Sequence, residues 1–177
     1  PLLLAQISMI LVKRCSEKLR FIRTVGSSAR ASKSMPKEPS YFISDIFTDL
    51  RAYLNRFSDL LSSISTPGAS KSNLKTRLIE STIEEIFNRY LNILINVQRS
   101  EDSLKKLKKG RKKQGFLNFN NNSNSSSSRV VEEEEEEDLR VKTQLRLDFK
   151  KLELDSIELG FVSLDQSKAF NELLKIL

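Results

Sequence analysis

Residues 79–107 read IESTIEEIFNRYLNILINVQRSEDSLKKL, and this stretch decides the fold. Ile79, Ile83, Ile86, Tyr90, Ile93, Val97, Leu104 and Leu107 follow one another in steps of four and three, interrupted only at Ser100. That is the repeat of an α-helix with one apolar stripe. Phe87, Leu91 and Leu94 widen the stripe beyond the narrow seam of a simple coiled coil, which favours a place inside a multi-helix bundle. No proline or glycine occurs from Ala69 to Lys109. A helix over 71–109 is predicted, ~58 Å long at ~1.5 Å per residue. It far exceeds the mean globular helix of ~11–12 residues.

Upstream, Phe42, Ile43, Ile46, Phe47, Leu50, Tyr53, Leu54, Phe57, Leu60 and Leu61 repeat at short helical intervals. They predict a helix over 40–62, with Ser40 as its N-cap and Pro67-Gly68 closing it. Residues 25–40 hold Pro36 and Pro39 among Ser, Lys and Ala, and read as a connector. Before it, Leu3, Leu4, Ile7, Ile10, Leu11, Leu19 and Ile22 predict a first helix over 2–24, ended by Gly26-Ser27-Ser28. Its apolar opening, PLLLAQISMILV, is too short for a bilayer span of ~20 residues. Its cations, Lys13 and Arg14, follow the apolar run, whereas a signal peptide places them before it. It is expected to be a core-facing helix. The chain opens on Pro1 and is expected to be a fragment of a longer protein.

Downstream, NFNNNSNSSSS at 118–128 is low-complexity. Such composition does not repay the entropy of ordering, so 114–131 is expected to be disordered. The sequons at Asn121 and Asn124 arise by chance in an Asn/Ser tract. Glu132 to Asp138 form an acidic run suited to the start of a helix. In 139–159, Leu145, Leu147 and Phe149 alternate like a strand, while Leu145, Leu152, Ile157 and Leu159 suit a helix. No partner strand is evident, so a helix is expected. A last helix, about 165–176, is expected to bury Phe170, Leu173, Leu174 and Leu177. The prediction is an all-α, elongated antiparallel bundle of about five helices with a disordered polar insert. Residues 1–113 make the bundle with its long third helix, 114–131 the linker, and 132–177 two C-terminal helices packing back on it.

Composition narrows the chemistry. The 177 residues contain no His, no Trp and one Cys. A histidine general base, a Ser-His-Asp or Cys-His triad and the common Cys/His zinc sites are excluded. Cys15 has no internal disulfide partner and suits a reducing compartment. Gly110 and Gly115 have the glycine spacing of a phosphate loop, but Phe116 and Leu117 stand where Lys and Ser/Thr belong. Glu84 and Glu85 are adjacent and cannot face each other on a helix. Asp148 and Asp155 are too isolated to be proposed as metal ligands. No cofactor, metal site or catalytic residue is assigned, and the chain is expected not to be an enzyme.

Net charge is +7, but unevenly placed: +12 over 1–113 and −5 over 114–177. The strongest charged feature is KKLKKGRKK at 105–113, with Lys105, Lys106, Lys108, Lys109, Arg111, Lys112 and Lys113 as candidate contacts. It reads as a hydrated helix C-terminus, as a contact for anionic lipid or a partner, or as a nucleic-acid patch. Leu104 and Leu107 carry the apolar stripe into it, and the aromatic or glycine-rich platforms common in nucleic-acid binders are missing. The acidic run can screen it in cis. The stripe from Ile79 to Leu107 is the candidate packing and partner surface. A basic helical nucleic-acid-binding module is the alternative function, distinguished by a steep loss of affinity with salt.

One family shares these features in collinear order. EDSLKKLKKGRK at 101–112, then a polar insert and an acidic stretch, then LRVKTQLRLDFKKLELDSIELGF at 139–161 and SKAFNELL at 167–174, resemble the C-terminal region of subunit 2 of the conserved oligomeric Golgi complex. LRFIRTVGSSARASKSMPKEPSYFISDIFTDL at 19–50 and FNRYLNILINVQRSEDSLKKL at 87–107 resemble the same region. The motifs are individually weak; their order and spacing carry the resemblance, and the insert is longer and richer in Asn and Ser than the family pattern. The resemblance implies a non-catalytic subunit of a helical, multisubunit vesicle tether in intra-Golgi retrograde transport and Golgi organisation. It implies peripheral association with the cytosolic face of the Golgi, contacts with sibling subunits, SNAREs and small GTPases, and no nucleic acid.

Overall fold

A computed structural model describes residues 2–63, 74–115 and 126–177, with side chains at 2–61, 74–107 and 133–177. The described residues form α1 (Leu2–Leu19), α2 (Ile22–Ala31), α3 (Thr48–Ser63), α4 (Leu74–Gly115), α5 (Ser126–Glu158), a 3-10 turn (Leu164–Gln166) and α6 (Lys168–Ile176), with no strand among them. The expected all-α bundle is what forms, with the first of its five expected helices divided in two.

α4 is the axis, 42 residues long or about 63 Å at ~1.5 Å per residue. Ser8 of α1 lies 3.1 Å from Thr82, Arg89 donates to Ser16 at 3.3 Å, and Arg30 of α2 meets Glu101 at 2.8 Å. α1 and α2 therefore climb beside α4 in its own direction. α3 and α5 run against it. Lys75 at the start of α4 donates to Ser58 near the end of α3, while Lys105 reaches Asp138 and Tyr90 packs on Phe149. The core gathers on the first half of α4, where Leu78, Ile79, Ile83, Ile86, Phe87, Tyr90 and Leu94 are buried. Around Phe87 and Phe149 the rings of Tyr90, Phe161 and Phe170 stand with neighbouring centroids 5.2–6.3 Å apart, separations at which tilted and edge-to-face pairs attract.

Several local expectations differ from the structure, for tertiary reasons. The first helix breaks at Arg20–Phe21, where backbone bonds of the i→i−3 type tighten the turn; Phe21 there packs against both Tyr41 and Phe42, which also meet edge to face. Gly26-Ser27-Ser28 do not end a helix but lie within α2. Gly26 is buried, and a Cβ on it would stand 2.8 Å from Glu101 Oε1, so the glycine lets α2 approach α4 closely. α3 starts at Thr48 rather than at Ser40, because residues 40–47 form successive tight turns. Ser40 gives its hydrogen bonds to Asp148, 108 residues away, instead of capping a helix.

The helix expected over 139–159 is α5, which buries Val141, Leu145, Phe149 and Leu152. It ends in a Schellman turn: Phe161 N–H donates to Ser156 O at 3.0 Å, Gly160 N–H to Ile157 O at 2.9 Å, and Gly160 takes φ +91°. Ile157, expected on the inner face, is exposed. α6 starts at Lys168 because Ser167 caps it, its Oγ accepting from Phe170 N–H at 3.1 Å. Phe170 and Leu173 are buried as expected, while Leu174 is exposed. Helix also enters both ends of 114–131, since α4 runs through Gly115 and α5 begins at Ser126. Helix extension is cheap once nucleated, and the glutamates that follow are good helix formers. Residues 116–125, with Asn121 and Asn124, and residues 64–73, with Pro67-Gly68, lie outside the described residues.

Candidate interaction surface

The stripe of α4 changes character along its length. Ile79, Ile83, Ile86 and Tyr90 are buried, and Ile93 and Val97 are half-buried. Leu104 and Leu107, expected to continue the buried stripe, are 58 and 66 % exposed. The reason is the length of the neighbours. α2 ends at Ala31, and its Arg30 already lies against Glu101, so the apolar cover stops there. On the α5 side the nearest described groups are polar: Asp138 pairs with both Lys105 and Arg30, and Arg140 pairs with Glu136.

The basic run therefore belongs to a helix that projects past its apolar neighbours. Lys105 is tied to Asp138, and Lys106 is exposed. Lys108, Lys109, Arg111, Lys112 and Lys113 sit on the last turns of α4, with side chains outside the described residues. The acidic run, expected to lead a helix, lies inside α5, which begins six residues before Glu132 at Ser126; Glu133 to Glu136 are exposed. The two charged runs meet where Lys105 and Asp138 join.

Two buried carboxylates tie the connector and α3 to α5. Asp148 accepts from Ser40 N–H at 2.6 Å, from Ser40 Oγ–H at 2.8 Å and from Gln144 Nε2–H at 2.9 Å. Gln144 Nε2 also donates to Glu38 O at 3.0 Å. Burial raises the Asp148 pKa above the usual carboxylate range, against the lowering effect of these hydrogen bonds. Burial, with a smaller contribution from the Asp148 charge, also raises the pKa of the nearby Tyr90 phenol. Asp155, also buried, accepts from Lys151 at 2.8 Å and lies 3.1 Å from Arg51 of α3. These aspartates, too isolated in sequence for metal ligands, are fastenings. Among the described residues no three of Cys, Asp and Glu gather to hold a metal ion. Cys15 is buried, and its thiol is pushed up to about 11, mainly by burial, which leaves it a poor nucleophile at neutral pH.

Residues 1–149 match the family described as "COG complex component, COG2, C-terminal". The chain belongs to that family. It is a component of the COG complex, a multisubunit Golgi tethering assembly, and sibling subunits are its partners. No curated protein and no solved structure matches it. The COG2 match takes in α1 to α4 and most of α5; the end of α5 and α6 lie beyond it, although the resemblance at 167–174 extends there. No described helix is long and apolar enough to cross a membrane.

Sequence reasoning missed one surface in this COG2 region. Leu2, Leu3, Met9 and Ile10 face outward on α1. The signal was present: apolar residues at 2, 3, 4, 7, 9, 10, 11 and 12 surround the helix, more than one packed face can hide.

Proposed function

We propose that the chain is a non-catalytic assembly module of the COG complex, acting at the cytosolic face of the Golgi in intra-Golgi retrograde transport and Golgi organisation. In this reading residues 1–113 are the body of the module, and 132–177 are the arm that returns to pack on it. The buried part of the stripe, Ile79 to Tyr90, is the internal spine. The distal part, Leu104 and Leu107 among Lys105, Lys106, Lys108, Lys109, Arg111, Lys112 and Lys113, is the contact surface for sibling subunits, with SNAREs, small GTPases and the membrane surface as further contacts. The observation that carries this is the course of α4, which leaves its apolar cover near Glu101 and continues to Gly115.

The test compares two sets of changes in the full-length protein. Leu104→Ser with Leu107→Ser alters exposed positions, so stability is expected to change by less than ~0.5 kcal/mol. Co-purification of sibling subunits from cells is expected to fall. Neutralising Lys105, Lys106, Lys112 and Lys113 to Gln is expected to leave subunit capture in place. If the lysine changes abolish Golgi recruitment while the leucine changes are tolerated, the contact is electrostatic and the packing-based reading is wrong.

A further inference from the structure

The connector between α2 and α3 holds a motif that the bundle does not use. Residues 33–39 read KSMPKEP, with Lys33, Pro36 and Pro39 spaced three apart. A polyproline II helix has three residues per turn, so these side chains fall on one edge of it, successive ones about 9 Å apart along the axis. Proline fixes its own φ near the value of that helix, and the residue before a proline is pushed into the same region. Met35, Pro36, Glu38 and Pro39 are therefore all biased towards it. Ser32, which closes α2, already has φ −74° and ψ 136°, within the scatter of that conformation.

The motif is presented rather than packed. Residues 35–37 belong to no helix, strand, turn or bend. The chain bends at 33–34, where Ser32 Oγ–H donates to Ser34 O at 3.1 Å and Ser32 Oγ accepts from Ser34 N–H at 3.3 Å. It bends again at Glu38, whose carbonyl accepts from Gln144. The first bend is exposed and rests on a serine hydroxyl, so a partner can straighten it. Lys33, Ser34, Lys37 and Glu38 are exposed, Met35 is 43 % exposed, and the two prolines are half-buried. A hollow of about 520 Å³ is lined by Met35 and Pro36 of the connector and by Val25, Ser28 and Ala29 of α2. The connector thus stands off α2, and an aromatic ring has room to enter beside Pro36. Lys33 and Lys37 are in no ion pair among the described residues.

We propose that residues 33–39 are the ligand of a partner domain that reads a polyproline II helix in a groove lined by aromatic side chains, with acidic side chains beside it. Met35-Pro36 fills one pocket between the rings, Glu38-Pro39 lies in the next, and Lys33 pairs with the acids. Ser34 and Lys37, on the third edge, face away from the groove. Such a segment loses little conformational freedom on docking, because its prolines restrict it beforehand. Glu38 is charged where an apolar side chain would add contact, so Pro39 alone fills its pocket. The bonds of Gln144 to Glu38 and of Asp148 to Ser40 hold the end of the motif on α5, which fixes the docked domain against the bundle rather than on a loose tail. This docking does not depend on the assembly reading.

The test uses the full-length protein and a panel of purified SH3 domains, whose aromatic grooves read this helix. At least one domain is expected to bind the folded chain in a calorimetric titration. Pro36→Ala with Pro39→Ala is expected to weaken that binding at least ~10-fold, a difference of about 1.4 kcal/mol. Lys33→Glu is expected to do the same, Lys33→Arg to preserve the binding, and Glu38→Leu to tighten it. Lys33 and Glu38 are exposed, so these three variants should keep the wild-type melting temperature, and a lost fold does not account for their effects. No binding by any domain of the panel would overturn the proposal. So would binding indifferent to the proline and Lys33 changes, or a Glu38→Leu variant that binds no better. Binding of a domain to an isolated peptide of residues 30–42 but not to the folded chain would overturn it as well, because the connector would then not be presented.

Discussion

Replacing Asp148 tests whether a buried carboxylate holds the 38–40 connector on the bundle. It accepts three hydrogen bonds of 2.6–2.9 Å, two of them from Ser40. Bonds to a charged group contribute ~1.5–3 kcal/mol each, and a buried donor left unpaired costs ~1–3 kcal/mol. The carboxylate has itself been taken out of water, which offsets part of this. Asp148→Ala is therefore expected to cost ~2–4 kcal/mol, a large share of a total stability of ~5–15 kcal/mol. Asp148→Asn keeps an acceptor for the Ser40 N–H and offers its amide to the Ser40 hydroxyl, so it should cost only ~1 kcal/mol. Urea unfolding followed by circular dichroism measures both; at a slope of ~2 kcal/mol per molar, the middle of the usual range, the Ala variant should lose about 1–2 M in midpoint. Amide exchange at Ser40 should accelerate in both variants. The pH dependence supplies a sign. Because the folded-state pKa is raised, the folded chain takes up this proton before the unfolded chain does. Lowering the pH through the raised value, towards the ordinary carboxylate range, should stabilise the wild type relative to Asp148→Asn, and the relative gain should saturate once the unfolded carboxyl is protonated too. An Ala variant with the wild-type midpoint, or a wild type that loses ground to Asn on mild acidification, would refute the reasoning.

Cys15, buried with its thiol raised to about 11, should resist alkylation by iodoacetamide at pH 8 until urea unfolds the chain; fast labelling of the folded protein would show that α1 opens locally. Gly160→Ala meets no atom within 4 Å, so its cost should be the backbone term alone, ~1–2 kcal/mol for a left-handed conformation, read from the urea midpoint. Gly26→Ala should gain ~0.8–1.0 kcal/mol of helix propensity and lose much of the half-exposed Arg30–Glu101 pair, worth ~0.2–1 kcal/mol. The net change in unfolding free energy should fall between about −0.2 and +0.8 kcal/mol.

What was legible in the sequence was periodic. The 79–94 stripe is buried because a 4-3 repeat specifies a face whatever covers it. α5 could be read because a strand needs a partner, and none was evident in the sequence. What was not legible depends on distance. Ser40 has the chemistry of a helix cap, yet Asp148, 108 residues later, takes both its donors. Gly26 looks like a stop signal, yet the space it leaves is filled by Glu101 from another helix. At Ser40 a local cap worth ~1 kcal/mol gave way to hydrogen bonds with a buried carboxylate, and at Gly26 the contact with Glu101 roughly offsets the glycine's propensity cost of ~0.8–1.0 kcal/mol.

The same distinction separates the two candidate surfaces. A helical stripe states only that a face is apolar; how far it is covered depends on where its neighbours end. α2 stops at Ala31, beside Glu101, so α4 emerges with Leu104 and Leu107 uncovered. α1 presents the converse case, with apolar residues on all sides and packing partners on one. Both surfaces thus arise from apolar positions in excess of the packing available within the described bundle. Exposing large apolar side chains brings no stability to the bundle itself, so a favourable role for them has to come from a partner that removes them from water. For a component of a multisubunit complex, the two exposed faces then have different chemistry to offer. The distal end of α4 joins Leu104 and Leu107 to a dense cationic run, and the α1 face joins Leu2, Leu3, Met9 and Ile10 to charges of both signs, Lys13 and Glu17. Co-purification of sibling subunits that falls with Leu104→Ser and Leu107→Ser but holds with Met9→Ser and Ile10→Ser, or the reverse, would show whether the module makes one contact or two.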